Sequence, residues 1–395
     1  MTRSAAKSVV ATAFTALLAI AGCSSGSTGS TAAQPTPSPA GSQATSPTPA
    51  VKQYVPHPLP TRLVALSASW LSPAVGWLAA GEPCGDSQCV ALFATRNGGR
   101  DWSRVAVPHV RLVQPAGVLF VDARTGYLFS GRLLMTRDGG RHWARQAVRN
   151  VSDVLYDGTS VLALTYDHGG CPGPCDVRVD RATAGGDSWS RSSPASQLAV
   201  DYTSLAGAAG LVVAIAPGNL ASANAKGHLA VSVDGGAHWT ERGDPCGQRR
   251  QHEYDIVDAA ANGATVAVLC AAHIGAEREF VITSTDGGHH FGSPDWLPDG
   301  DFGHLVELSD GRLLAATAGS SGSGQTTYRV ATESRGKSWR QVLAADEPLY
   351  DQPEGLAGHS ALDVSANGLL TYVADGVHAW RSDDAGQSWK QLPLP

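Results

Sequence analysis

Three sets of side chains in this chain have types and spacings that could do chemistry. The first is a recurring acid or amide, Asn97, Asp138, Asp234, Asp286 and Asp384, each two residues after a Ser or Thr. A carboxylate held beside a hydroxyl could serve as a general base or simply tie a turn together. The second set is the cysteines. Cys84 and Cys89 are spaced C-x4-C, and Cys171 and Cys175 C-x3-C, while Cys246 and Cys270 stand further apart. Close pairs can hold zinc or close disulfides. No histidine recurs beside them at ligand spacing, and with Cys23 set aside six remain, an even number that suits an oxidising compartment. The expected pairs, by proximity, are Cys84–Cys89, Cys171–Cys175 and Cys246–Cys270, with no metal, although six cysteines allow 15 pairings. The third set is a scatter of polar and aromatic residues outside the recurring segment: Tyr166, Asp167, His168, Arg249, Arg250, His252, Tyr254, Trp296 and Tyr350. They form a candidate binding surface. No catalytic constellation and no cofactor motif is legible.

The elements that must position these groups follow from the repeat. The full segment reads Ser/Thr-x-Asp-Gly-Gly-x-x-Trp and is written seven times, closing on Trp102, Trp143, Trp189, Trp239, Phe291, Trp339 and Trp389. The steps are 41, 46, 50, 52, 48 and 50 residues. Such a period marks a repeat architecture. Apolar β-patterned runs flank each copy, as in Arg132-Leu133-Leu134-Met135 before the second. The segment therefore reads as a hairpin turn: Asp bonds the turn backbone, glycines accept positive φ, and Trp returns as an apolar anchor. Two further strands precede each turn, for example Leu63-Val64-Ala65-Leu66 and Val75-Gly76-Trp77-Leu78-Ala79 in the first unit. Four short strands per unit and seven units predict an all-β, seven-bladed β-propeller over 61–395, with antiparallel blades and the recurring turn between third and fourth strands. The chain ends on a fourth strand, so the ring is expected to close without strand exchange unless Lys52 to Val55 adds an edge strand.

The recurring segment resembles the Asp-box, or BNR repeat. That resemblance implies a structural hairpin on the rim of a propeller, remote from any active site, within a sialidase-like superfamily scaffold. The third, sixth and seventh copies depart from it, with Ala184 and Ser334 in place of the acid and Arg335 and Ala385 in place of the first glycine. A sialidase would need three arginines around a carboxylate, a Tyr–Glu pair and an acid Asp. It would also carry a Phe/Tyr-Arg-Ile-Pro segment where Pro60-Thr61-Arg62-Leu63-Val64 stands. Neither is recognisable, and such enzymes have six blades. The Gly-Trp/Tyr hairpins at Gly76-Trp77 and Gly126-Tyr127, with the Asp-Gly-Gly turns, are similar to photosystem II assembly-factor-like propellers (the Ycf48/Hcf136 kind) and to exported BNR-like bacterial proteins. This implies a binding or assembly module for a protein or glycan partner; an exo-sialidase type of glycoside hydrolase is the alternative.

Residues 1–22 read as a secretion signal, with Arg3 and Lys7 ahead of an apolar run from Val9 to Ile20 that is too short to span a bilayer. Ile20-Ala21-Gly22-Cys23 resembles a bacterial lipobox, which implies cleavage before Cys23 and its acylation with chains such as palmitate. Several acyl chains anchor stably where one does not. Residues 23–60 are then a Ser/Thr/Pro-rich tether without the apolar content for a core. The expected location is extracytoplasmic, on the bacterial cell membrane. Of 29 basic residues, Arg3 and Lys7 leave with the signal, so 27 stand against 35 acidic ones, a net charge of −8. Basic residues form no run, which argues against a nucleic-acid partner. A monomeric propeller is expected.

Overall fold

The structure, a computed structural model, describes residues 63–113, 115–166, 177–193, 204–216, 227–249, 252–272, 278–317, 325–333, 338–348, 360–365 and 368–395, all within the compact unit Val55–Pro395. Every regular element among them is a β-strand. The strands form seven antiparallel sheets, each built from strands consecutive in the chain, over 64–105, 116–149, 151–192, 204–243, 248–296, 302–348 and 361–391. Six sheets have four strands; the fifth adds the two-residue strand Gln248–Arg249 against His252–Asn262. The first strands of successive sheets touch one another around a complete circle, and the last, Ala361–Val364, touches Val64–Trp70. Seven blades around a central channel make this a β-propeller.

Burial explains why these residues form these strands. The second strands are apolar without alternation and buried along their length, as in Leu211–Ala216, Leu313–Thr317 and Leu370–Ala374. A strand covered by a blade on each face reads as a continuous apolar run. The fourth strands lie at the rim and are largely exposed, as in Ser103–Val105 and Ala144–Arg149. Between blades the contact is close. Trp77 stacks on Phe120 at 3.6 Å between ring centroids, 6° from parallel. A Cβ at Gly76 would lie 2.3 Å from the Trp70 ring, and one at Gly126 2.5 Å from Phe120. Glycine therefore opens the second strand of these blades because an aromatic ring occupies the side-chain space.

The ring closes by contacts between complete blades. Ala65 N–H donates to Gly376 O at 2.7 Å, Trp70 Nε1 to Thr371 Oγ1 at 2.7 Å, and Trp102 Nε1 to Pro393 O at 2.7 Å. The Arg381 guanidinium lies 4.4 Å from the Trp70 ring and donates to Gly98 O. Among the described residues no strand is exchanged between first and last blades; Lys52 to Val55 lie outside them.

The recurring turns share one hydrogen-bond pattern. Thr136 Oγ1 donates to Asp138 Oδ1 at 2.9 Å and accepts from Gly140 N–H at 2.9 Å, while Asp138 Oδ1 also accepts from His142 N–H. Asn97, Asp234, Asp286 and Asp384 repeat this geometry within their own turns. The second turn glycine has a further duty. A Cβ on Gly99, Gly236 or Gly386 would meet Leu392, Leu162 or Leu314 of the preceding blade at 2.3–2.5 Å. Where the first glycine is replaced, Ala385 takes the left-handed conformation itself, with φ of 55°. Trp102, Trp143, Trp189, Trp239 and Trp389 are half-buried, and only Trp339 is fully covered. They are lids over the seam between blades rather than core anchors: Trp143 meets Phe120 edge-on, and Trp239 Nε1 bonds Ser192 of the blade before.

Candidate functional site

A propeller has two faces, and the hydrogen bonds assign the turns to one of them. Gly98 N–H donates to Ala74 O, Gly139 to Arg124, Gly235 to Gly210 and Gly287 to Ala264. These four recurring turns are thus stitched to the turn between first and second strands of their own blades. Links between blades lie here too: Arg137 donates to Gly185 O at 2.7 Å and pairs with Asp187. The turn acids are occupied. Oδ2 of Asp138, Asp234 and Asp286 bonds the histidine four residues on at 2.5–2.6 Å, and Asp384 bonds Ser388. The His142 contacts hold the Asp138 carboxyl, and the His290 contacts the Asp286 carboxyl, well below the usual range. Asp138 is half-exposed and the other three are exposed, and their acceptor oxygens are filled by their own turns.

The other face carries the loops between second and third strands and those between blades. Cys84 is bonded to Cys89 across one such hairpin, and Cys246 to Cys270 ties the loop before blade five to its second strand. Cys171 and Cys175 lie outside the described residues. The two bonds differ in surroundings. Cys246 and Cys270 are 1% and 0% exposed in a core with Tyr254, Phe280 and Trp296 around them. Cys84 is half-buried, Cys89 is 4% exposed, and the exposed His109 ring approaches Cys89 Sγ to 3.5 Å through Nε2. Linear spacing carried no sign of this histidine. The segment 106–113 runs back along Ser87–Thr95, with Val90 N–H donating to Val110 O and Leu112 N–H to Gln88 O. That pairing brings residue 109 to the disulfide.

Of the candidate binding residues, Asp167, His168, Arg250 and Tyr350 lie outside the described residues. Tyr166 ends the second strand of blade three, half-buried, its backbone bonded to Asn150. Arg249 pairs with His252 in a two-residue hairpin. Tyr254 is a correction: it is 1% exposed and packs between Phe280, centroid 4.9 Å, and Trp296, centroid 6.1 Å. It faces inward because blade five's first strand starts early, at His252, so that Tyr254 pairs with Ala272 inside the sheet. Trp296 is half-buried against the same ring pair. The candidate surface is therefore narrower than the linear loop suggested.

Two groups of acids went unremarked in the linear reading. Glu279 immediately precedes the third strand of blade five, 7% exposed; burial, with Asp301 and Asp299 nearby, pushes its carboxyl up to about 7. Arg278 beside it donates to Leu297 O and stands 3.5 Å from Asp299. The second group lines the central channel. Asp153 accepts from Leu205 N–H at 2.7 Å, Asp258 from Leu305 N–H at 2.8 Å, and Asp363 from Ala68 N–H at 2.9 Å. Ser67 does the same for Val118 N–H at 2.8 Å. Each odd blade thus caps a free donor on the inner edge of the next, since an edge strand leaves N–H groups that need partners. Desolvation raises all three carboxyls, to about 6 at Asp153 and about 7 at Asp258 and Asp363, and the charge of Asp153 adds to the other two. They keep some accessible area because they face the channel, yet protein surrounds them. The visible signal was an aspartate inside the first strand of three odd blades. None of the seven first strands carries Arg or Lys, so no guanidinium reaches the channel from them.

A buried polar cluster joins blades six and seven on this face. The Tyr328 hydroxyl donates to Asp375, which also meets His378 Nδ1 at 3.3 Å. Tyr328 and His378 are 1% and 4% exposed, so the cluster welds two blades and offers no opening to a substrate.

The fold and both faces define a seven-bladed, disulfide-bearing β-propeller. No family model matches the chain, and no curated protein matches it. Solved structures do. The β-propeller domain of the Trilobed protease from Pyrococcus furiosus, described as having an open velcro topology, aligns with TM-score 0.51 and 8% identity over 84% of this chain and 98% of that one. YCF48 bound to D1 peptide aligns with TM-score 0.34 and 17% identity over 86% of each chain. A GH74 enzyme of Niastella koreensis aligns with TM-score 0.36 and 12% identity, over 83% of this chain and 65% of that one. At these identities the likeness is one of fold.

Proposed function

We propose that this chain is a lipid-anchored, extracytoplasmic binding or assembly module that takes a protein or glycan partner on the face opposite the recurring turns. The observation that carries the reading is the division of labour between faces. The turn acids are bonded within their own turns, whereas both disulfides of the described residues brace the opposite loops. Braced loops lose less freedom when a partner binds. The charge of the inner strands, acidic and without Arg or Lys, favours a neutral or cationic ligand over an anionic one. That is the chief argument against the exo-sialidase alternative, whose anionic substrate needs an arginine cluster.

The anchor rests on Ile20-Ala21-Gly22-Cys23. Cys23→Ala should move the protein from the membrane fraction to the soluble one, and retention in the membrane would refute the anchor. Crosslinking on intact cells followed by pulldown should return a discrete protein partner if the module is an assembly factor; a glycan array should respond if the partner is a glycan. Silence in both, or hydrolysis of a fluorogenic sialoside by the purified protein, would overturn the binding reading.

A further inference from the structure

The two disulfides of the described residues sit in opposite chemical settings. Cys246–Cys270 is sealed in the blade-five core, where no thiol can reach either sulfur. Cys84–Cys89 closes the exposed Gly85-Asp86 turn at the tip of a hairpin. Its sulfurs are also unequal. Cys84 is only half-buried, while Cys89 is buried and has the His109 ring against it, Nδ1 at 3.6 Å and Nε2 at 3.5 Å. Thiol–disulfide exchange runs through attack on one sulfur and departure of the other, and the departing thiolate leaves faster when it is stabilised. An imidazole N–H beside the departing sulfur supplies that stabilisation.

We propose that Cys84–Cys89 is an exchangeable disulfide, in which an incoming thiolate attacks Cys84 Sγ and Cys89 leaves as a thiolate held beside the His109 ring. The Cys84–Cys89 bond breaks, a bond forms between Cys84 Sγ and the incoming sulfur, and the electron pair goes to Cys89. With a low-molecular-weight monothiol the product is a mixed disulfide on Cys84. With a dithiol, its second sulfur displaces Cys84, so the dithiol is oxidised and both cysteines are reduced by two electrons in all. Either route opens the brace on this hairpin and frees its tip. Charged groups around the pair are few: Glu82 is paired with Arg104 on the outer strand, Asp86 is in the turn, and Arg111 follows His109 on the returning segment. The Ser87 hydroxyl stands 3.6 Å from Cys84 Sγ.

The test uses the folded full-length chain with reduced glutathione as the probe at pH 6, 7 and 8, acid quenching, alkylation and peptide mass mapping. The glutathione adduct is expected on Cys84 with Cys89 free to alkylate, while the Cys246–Cys270 peptide stays bonded. His109→Ala, at an exposed position, should slow adduct formation roughly ten-fold. An adduct on Cys89, equal reactivity of the two disulfides, or a His109→Ala rate matching the parent at every pH would each overturn the proposal.

Discussion

The turn face and the inner ring both use aspartate as an acceptor of backbone N–H groups, and the two sets behave oppositely. On the turn face, Asp138, Asp234 and Asp286 stand in solvent, each with a histidine four residues on, and their carboxyls are pulled down; at Asp234 the value falls to about 2. Around the channel, Asp153, Asp258 and Asp363 each accept from the next blade, and desolvation pushes them up to about 6 or 7. The same hydrogen bond therefore stabilises the charged form where water remains and fails to compensate for burial where protein replaces it. The turn set serves a single hairpin; the ring set joins blades. Solvent access, not residue type, separates a local clasp from a charged liability at the axis.

The comparison can be broken or sharpened by substitution. The largest expected effect lies on the turn face. Trp143→Ala removes a half-buried lid on Phe120 and should cost about 2–3 kcal/mol, below the 3–5 kcal/mol typical of a fully buried aromatic. Thermal unfolding reads this directly, and an unchanged Tm would mean the lid is not packed. Next comes the ring. A carboxyl raised in the folded state stabilises the fold fully below its unfolded value near 4, and that stability is lost as pH rises through about 6 to 7. Asp258→Asn keeps an acceptor for Leu305 N–H and removes the charge. It should raise stability at pH 8 by about 1–2 kcal/mol, discounted for water in the channel, and leave pH 4 unaffected. Urea unfolding at the two pH values would show it; equal effects at both would place the carboxyl outside the titration.

A third substitution inverts the sign. Asp234→Ala should cost about 1 kcal/mol at pH 7 through lost turn bonds, with the deficit vanishing as pH falls from about 4 through 2. Chemical denaturation across that range measures the crossover, and a deficit that persists at pH 2 would contradict it. Together the two sets put the stability maximum between roughly pH 4 and 6. The smallest change expected is Ala385→Gly, which relieves a left-handed alanine and should stabilise by about 0.5–1 kcal/mol. A lower midpoint would show that the alanine methyl contributes packing worth more than the strain.

Much of the scaffold was legible in the chain because its cause is local. An Asp-Gly-Gly turn needs only its own side chain and φ values, so seven copies count seven blades wherever they occur. Gly76 and Gly126 were visible as part of a hairpin, but the reason for them, the rings of Trp70 and Phe120, emerges from the fold. Tyr254 shows the limit: read as a loop residue, it became core because blade five's first strand begins at His252 and takes it into the sheet. His109 shows another, since 20 residues of chain fold back before it reaches Cys89.

By itself, then, the amino-acid sequence determined the blade count, the strand order within each blade, the turn chemistry and the pairs Cys84–Cys89 and Cys246–Cys270. Those depend on neighbours along the chain. Only the tertiary structure decided which acids share the channel, which disulfide keeps a histidine beside it, and which aromatics are lids rather than anchors. These depend on distances across the ring, where residues 47 to 295 positions apart in the chain set each group's exposure to water and therefore its charge.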